Sequence, residues 1–295
     1  MSLINTLSFI LEHPLTRDNR FEALSRFIKW QIACRMSEGP LVIDWINGAK
    51  FYAAKGESGV TGNIYVGLHE YADMAYLLHV LDANDLFVDT GANAGSYTIL
   101  ASAAIGASAY AIEPAPGTYI RLIENLRLNH VETRVKSLNA GAGSASGQAL
   151  FVSNLDTTNH VLSAEANDAS AIKVEIVTLD HILANENPAM IKIDVEGYEL
   201  PVLEGAINVL KKPSLHTVIL ELNGSGSRYG FDESIIVRLM NDNGFTAYTY
   251  NPQERTLAKN SGYNKDGNTL FIRNVALVMD KIKKSPRISI YGKQI

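Results

Sequence analysis

Apolar and polar positions along this chain follow two rhythms, and the change falls near residue 85. Before it, NRFEALSRFIKWQIACRM (19–36) sets Phe21, Leu24, Phe27, Ile28 and Ile32 at helical spacing, one apolar face that packing alone explains. LVIDWINGAKFYAA (41–54) is two short runs around Asn47-Gly48, the residue pair of a type I′ hairpin. Glycine-rich GESGVTGNIYVGL (56–68) then leads into HEYADMAYLLHVL (69–81), which predicts a helix.

From residue 85 short apolar strands alternate with helices. The pattern predicts strands at 86–89, 108–112, 133–138, 189–194 and 216–222, and helices at 94–104, 116–129, 199–210 and 232–243. Such an order implies right-handed crossovers and a parallel sheet covered on both faces. Two segments depart from it. QALFV (148–152) and IKVEIVTLD (172–180) read as strands around a polar loop, a hairpin in place of a helix. GFTAYTY (244–250) and NTLFIRN (268–274) have no helical pattern between them and should pair antiparallel.

Composition narrows the class. With 295 residues, 46% hydrophobic and 19% charged, the chain has room for one large α/β domain and an appendage. The net charge is −5 and the basic residues are scattered, which argues against nucleic acid as a partner. A lone Cys34 excludes an intrachain disulfide and fits a reducing compartment. No apolar run reaches the roughly 18–20 residues of a membrane span. The first residues, MSLINTLSFILEHPLTRDN, lack a basic start and a small-residue cleavage site, so a cytoplasmic protein is expected, with this patch as a docking helix.

The candidate chemistry begins in DLFVDTGANAGSYTIL (85–100), where an apolar strand breaks at two glycines and resumes as a helix. A strand–glycine turn–helix brings backbone N–H groups close to a ligand. The stretch lacks the lysine of a P-loop, and Asn93 stands where a dinucleotide-binding turn has its second glycine. Asp89 before the turn would repel phosphates but suit a cationic or hydroxyl-rich ligand. Glu113, 24 residues further and at the end of the next strand, has the spacing of a ribose-binding carboxylate. Acid, glycine turn and second acid describe a nucleoside with a cationic tail, and S-adenosylmethionine fits that description.

Three pieces, FVDTGANAGSYT (87–98), AIEPAP (111–116) and MIKIDVEGYELPVLEGA (190–206), together with TLD (178–180) and ILEL (219–222), resemble the FkbM-type methyltransferases, a branch of the class I S-adenosylmethionine-dependent enzymes. Thr90 and Ala94 depart mildly from the usual valine and isoleucine. The resemblance, over about residues 65–275, implies a Rossmann-like, doubly wound seven-stranded sheet whose last strand is antiparallel. It implies O-methyl transfer to a hydroxyl of a sugar, glycolipid or natural product. Asp89, Gly91, Asn93 and Gly95 would then line the methionine part of the cofactor, Glu113 the ribose, and Asn139, Ala140 and the residues to Ala142 the adenine. Asp194 and Glu196 would face the transferred methyl group, Asp194 also bordering the cofactor. Three parts are expected: an extension of helix and hairpin (1–80), the cofactor-binding domain (81–275) and a tail (276–295).

Lys192, Asp194 and Glu196 alternate along IKIDVEG and would share one side if the strand persisted through 196. A Lys192–carboxylate ion pair is the structural reading of the lysine. Asp194, then Glu196, are the expected bases for the acceptor hydroxyl, with His69, His181 and His216 as alternatives. A rival within the same reaction is Mg²⁺ held by Asp194, Glu221 and Asn223. Tyr229, Phe231, Tyr248, Tyr250 and Tyr263 are candidates to stack on a sugar ring, or core residues. Residues 1–80 could cap the substrate site or form a homodimer interface. Two other functions stay open: a catalytically silent cofactor-binding protein of the same fold, and an NAD-dependent oxidoreductase, which Asn93 disfavours.

Overall fold

The computed structural model describes residues 3–152, 159–162, 170–265 and 267–295. Helices α1 (Leu3–Glu12) and α2 (Arg20–Met36) precede the hairpin β1 (Leu41–Asp44) and β2 (Lys50–Ala53). In its turn Asn47 and Gly48 both take positive φ, and the Ala49 N–H donates to the Ile46 carbonyl, the geometry that Asn-Gly favours. The glycine-rich stretch, for which the sequence suggested no element, is helix α3 (Ser58–Val66), followed by α4 (Tyr71–Val80).

Strands and helices then alternate as expected: β3 (Leu86–Thr90), α5 (Ser96–Ile99), which continues as a wider turn through Ile105, β4 (Ser108–Ile112), α6 (Pro116–Leu128) and β5 (Val135–Leu138). The break in rhythm is a separate small sheet of β6 (Gly141–Ala142), β7 (Gly147–Val152), β8 (His160–Val161) and β9 (Ile172–Val177). β7 and β9 pair antiparallel, as the two apolar runs predicted; most of the polar loop between them lies outside the described residues. After α7 (Leu179–Ile182) come β10 (Met190–Ile193), α8 (Glu199–Glu204), α9 (Ile207–Leu210) and β11 (Thr217–Glu221). The chain ends with α10 (Ser234–Asp242), β12 (Thr246–Asn251), β13 (Thr256–Lys259), β14 (Asn268–Ile272), α11 (Val275–Lys284), β15 (Ser289–Ile290) and β16 (Lys293–Gln294).

The main sheet runs β13-β12-β14-β11-β10-β3-β4-β5. β3, β4, β5, β10 and β11 are parallel, and β14 inserts antiparallel between β11 and β12. Seven of these strands make the class I methyltransferase sheet that the resemblance implied. The eighth, β13, is a correction: it folds back on β12 from TLAK, whose alternation is too short and polar to read as a strand. Val88, Ile191, Val218 and Phe271 face the core under α8–α10, while Phe87, Met190, Ile219 and Leu270 face the core under α4, α6 and α11. Both faces are therefore covered, which is why these strands read as continuous apolar runs. Among the described residues no helix is long and apolar enough to cross a membrane.

Two expectations change. The helix predicted over 199–210 is two, because Gly205 presses on the Gly143 carbonyl and the chain turns there. On α2 the buried side chains are Ala23 and Trp30, whereas Phe21, Ile28 and Ile32 point outward; packing among the described residues does not explain that face.

A Cβ on Gly205 would overlap the Gly143 carbonyl oxygen, while one on Gly147 meets nothing within 4 Å. Gly205→Ala should therefore cost about 1–3 kcal/mol of overpacking, and Gly147→Ala should stay within about 0.5 kcal/mol of the parent, both read by urea denaturation.

Candidate active site

Strand order in the main sheet reverses between β3 and β10: from β3 the chain winds out through β4 and β5, then returns to add β10 and β11 on the other side. Loops leaving adjacent strands in opposite directions open a crevice at their carboxyl ends. A cleft of about 290 Å³ lies there. Asp89, Gly91, Asn93, Glu113, Ala140, Asp194, Glu196 and Glu221 all border it, so eight expected residues from five stretches of the chain converge on one place.

The loop after β3 touches the loop after β10 directly. Gly91 has φ +78°, and a Cβ there would overlap the Asp194 carbonyl oxygen. Asp194 N–H in turn donates to the Thr90 carbonyl at 3.0 Å. Asp89 is buried and spends Oδ2 on Thr98, accepting from its N–H at 3.0 Å and its hydroxyl at 2.6 Å. Its first task is thus to fix the start of α5 rather than only to face a ligand. Burial raises its pKa to about 6, although Lys192 and Thr98 pull it down.

Glu113 joins the neighbouring loops. Oε2 accepts the Asn93 N–H at 3.0 Å and Oε1 accepts the Ala115 N–H at 2.8 Å. Asn93 holds φ +51°, a strained value for a residue with a side chain, and its Oδ1 accepts the Ala94 N–H. Burial lifts Glu113 to about 7 against these two hydrogen bonds, with Asp89 and Asp194 adding repulsion. Each carboxylate oxygen keeps a lone pair for a hydroxyl donor. Ile112, Pro114, Ala140, Gly141, Ala142, Phe151 and Val161 supply an apolar wall beside it. Carboxylate, apolar wall and glycine turn match a ribose, a flat base and a cationic tail, so the residues fit S-adenosylmethionine.

Past the sheet centre the cleft is acidic. β10 ends at Ile193, so strand alternation does not place Glu196; a left-handed turn with φ +55° does, and Arg228 Nη1 holds its carbonyl at 2.9 Å. Lys192 is buried, sits 4.7 Å from the Tyr97 ring centre and bonds Asp194 Oδ2 at 2.6 Å. The structural reading of that lysine holds. Burial opposes its charge, but Asp194, Glu70 and Asp89 more than restore it. Burial also pushes Asp194 up, and Lys192 outweighs it to hold the carboxyl below its ordinary value. Glu221 goes the other way, to about 9, through burial and the Asp194 charge, and its proton is donated to Asp194. Glu196 is pushed to about 7 by burial and then Asp194. Oxygens of Asp194, Glu196 and Glu221 lie within 4.8 Å of one another, a spacing open to a divalent cation.

Some expected residues sit elsewhere. Gly95 does not border the cleft; a Cβ there would press Leu122 of α6 at 2.7 Å, so it serves helix packing. Asn139 braces the loop after β4, donating to the Glu113 and Pro114 carbonyls at 2.8 and 3.1 Å. Asn223 is not among the residues that border the cleft, and its Oδ1 accepts the Ser225 N–H; Glu196 stands beside Asp194 and Glu221. Of the three histidines only His69 borders the cleft; His181 is exposed and His216 is buried against Thr217. Tyr250 is a core residue bonded to His79 at 2.7 Å, and Tyr248, Phe231 and Tyr263 pack on core clusters. Only Tyr229 approaches the cleft, edge-on to Tyr198 and bonded to the Val161 carbonyl at 2.6 Å.

The sequence raised residues 1–80 as a cap without naming the residues: Gly59, Glu70 and Met74 bring that region into the wall. Sequence reading missed Phe151 and Val161, which bring the small sheet. Glu199 is buried and shapes the acidic turn, accepting from the Val195 and Gly197 N–H groups at 3.2 and 3.1 Å. Its signal was present in VEGYE, a buried acid two residues after a glycine.

The model of the methyltransferase FkbM domain matches residues 89–275, and the chain belongs to that family. Hexuronic acid methyltransferase AglP of Haloferax volcanii is 29% identical over 171 residues, 56% of this chain and 65% of its own length. Methyltransferase sdnD of Sordaria araneosa is 28% identical over 169 residues, 46% of this chain and 65% of its own length. The chain thus spans somewhat under two thirds of these relatives. Among solved structures, the FkbM methyltransferase of Methylobacillus flagellatus aligns over 72% of this chain and 52% of its own, with 17% identity and a TM-score of 0.45.

Lys192→Met would leave the half-buried Asp194 carboxylate without its partner, so stability should fall by about 1–3 kcal/mol at neutral pH. Because Asp194 is held below its ordinary pKa, the ion pair contributes above that value and fades as pH falls through the lower folded one. Denaturation curves of parent and variant should therefore draw together below about pH 4.

Proposed function

We propose that the protein is an S-adenosylmethionine-dependent O-methyltransferase acting on a hydroxyl of a sugar, glycolipid or natural product. The observation that carries this reading is one cleft with Glu113 at its nucleoside end and Asp194, Glu196 and Glu221 at the other. Family membership supports methyl transfer, and the name of the Haloferax relative supports a sugar acceptor. A phosphate-rich dinucleotide fits poorly among these carboxylates, which weighs against the oxidoreductase alternative.

When bound, S-adenosylmethionine supplies an electrophilic methyl group. The chain supplies alignment and a proton acceptor. Glu113 and the Gly91–Asn93 turn hold the nucleoside, and the acidic end holds the acceptor hydroxyl in line. The sequence favours Asp194 as base, but its ion pair with Lys192 makes it a weak one. Glu196, at about 7, is matched to neutral pH and is the base we favour, with burial and the neighbouring Asp194 charge raising it and Arg228 holding its backbone. A second reading, a divalent cation on Asp194, Glu196 and Glu221 that acidifies the acceptor hydroxyl, is favoured by their mutual spacing.

Calorimetry should show binding of S-adenosylmethionine and S-adenosylhomocysteine and none of NAD; tighter binding of NAD would overturn the reading. Glu113→Ala should weaken the nucleoside by about 1.5–3 kcal/mol for each charge-assisted hydrogen bond lost. Since Glu113 stands near 7 in the free protein, S-adenosylhomocysteine affinity should fall as pH drops from about 8 to about 6, and Glu113→Gln should flatten that slope.

With labelled cofactor and a panel of hydroxylated glycans, Glu196→Gln should lower kcat by about a hundredfold or more while cofactor affinity holds. Turnover lost in EDTA and restored by Mg²⁺ would replace the base with the cation.

A further inference from the structure

Helix α2 is apolar on two opposite faces. Ala23, Phe27, Trp30 and Cys34 turn inward. Phe21, Ser25, Ile28, Ile32 and Met36, spaced 4, 3, 4 and 4 residues apart, form a stripe about 80° wide on the far side. Phe21 is 85% exposed, Met36 80%, Ile28 55% and Ile32 54%, and Leu3 and Ile4 at the start of the adjoining α1 are exposed as well. Single exposed apolar side chains are ordinary; a continuous row on a 17-residue helix is the mark of an interface.

We infer that this row seats a second copy of the chain, the two α2 helices packing antiparallel about a two-fold axis. The pattern is complementary to itself. Centred between residues 26 and 27, an antiparallel pair sets Phe21 against Ile32 of the partner subunit and the small Ser25 against Ile28 of the partner subunit. The charges agree with that register. Glu22 and Lys29 lie on the same flank of the row, and both are exposed. A two-fold antiparallel pair brings like flanks together, so Glu22 comes within about 3 Å, along the helix axis, of the level of Lys29 of the partner subunit, twice over. A parallel pair would set that flank against Leu24 and Gln31 and leave both charges without a partner. A membrane surface would call for a uniformly basic rim, whereas this one carries Glu22 and Glu38 among Lys29 and Arg35.

The pairing would reach the cleft through α3. Arg26 Nε donates to the Tyr65 carbonyl at 3.1 Å, Gln31 Nε2 to the Tyr65 hydroxyl at 3.2 Å, and the Phe27 ring meets Tyr65 edge-on. Gly59, on the same α3, borders the cleft. A helix held from behind by a second subunit gives that wall a fixed position.

Sedimentation equilibrium and light scattering on the full chain test the pairing. The parent should be a dimer at micromolar concentration, and Ile28→Asp, on an exposed site that leaves the fold's circular dichroism unchanged, should be a monomer. Glu22→Lys sets like charges together twice and should weaken the dimer by about tenfold or more. Adding Lys29→Glu to it should restore the parent affinity, which a loss of folding could not do. A monomeric parent at about 100 μM, a dimer indifferent to Ile28→Asp, or a double variant no tighter than Glu22→Lys would each overturn the inference. So would a monomer that floats with anionic phosphatidylserine vesicles and loses them on Ile28→Asp, which would assign the row to a membrane.

Discussion

The contact of Gly91 with the Asp194 carbonyl is the constraint on which the rest of the site depends. It lies where the strand order reverses, and it brings the loop after β3 against the loop after β10 with no side chain between them. Everything that borders the cleft is placed relative to that contact. Thr98 and Asp89 anchor one loop to its helix; Glu199 holds the Val195–Gly197 turn that forms the other. Gly197, at φ +100°, then passes close to Ser225 and carries the same tight spacing on to the loop after β11. Because backbone approaches backbone, the cleft's width is fixed by chain geometry rather than by adjustable side chains.

Its electrostatics follow from that tight spacing. Glu70, Asp89, Glu113, Asp194, Glu196 and Glu221 border the cleft, against the single ammonium of Lys192 among its lining residues. Burial and mutual repulsion raise Asp89, Glu113, Glu196 and Glu221, and only Asp194, next to the lysine, is held down. Acids in this state resist ionising, and a cation nearby would favour their charged forms. A sulfonium near the glycine turn, or a divalent ion at the three clustered carboxylates, would each draw those pKa values back down. Under the proposed function the same logic would divide labour among the acids, the best-paired one positioning and the ones near neutrality carrying a proton.

Parts outside the sheet complete the enclosure. Gly59, His69, Glu70 and Met74 close one side from the N-terminal region, and Phe151 and Val161 of the small sheet close another. The C-terminal segment ties these together, since Tyr291 donates to the Ile64 carbonyl at 2.9 Å and stacks under Arg26 at 3.9 Å. Residues 1–80 therefore share the site with the sheet, through side chains that belong to no recognisable motif.

The chain's own pattern determined much of this. Apolar strands of four or five residues, buried on both faces, could only belong to a covered parallel sheet, and spacing alone brought Gly91, Asn93 and Glu113 to the ends of neighbouring strands, where they border one cleft. Those signals are local, set by one strand and the turn that follows it. Tertiary structure decided what depends on contacts between distant segments. Gly95 reads as a ligand glycine but is required by Leu122, Asn223 reads as a ligand but caps its own turn, and Glu196 reaches the cleft through a left-handed turn that strand alternation does not foresee. Which carboxylate stays ionised was likewise settled in space, because Lys192 can neutralise Asp194 alone while Glu221 and Glu196 are left to share the repulsion. A helix such as α2 shows the limit most plainly: periodicity revealed that a face was apolar, and only the fold revealed that this face looks outward.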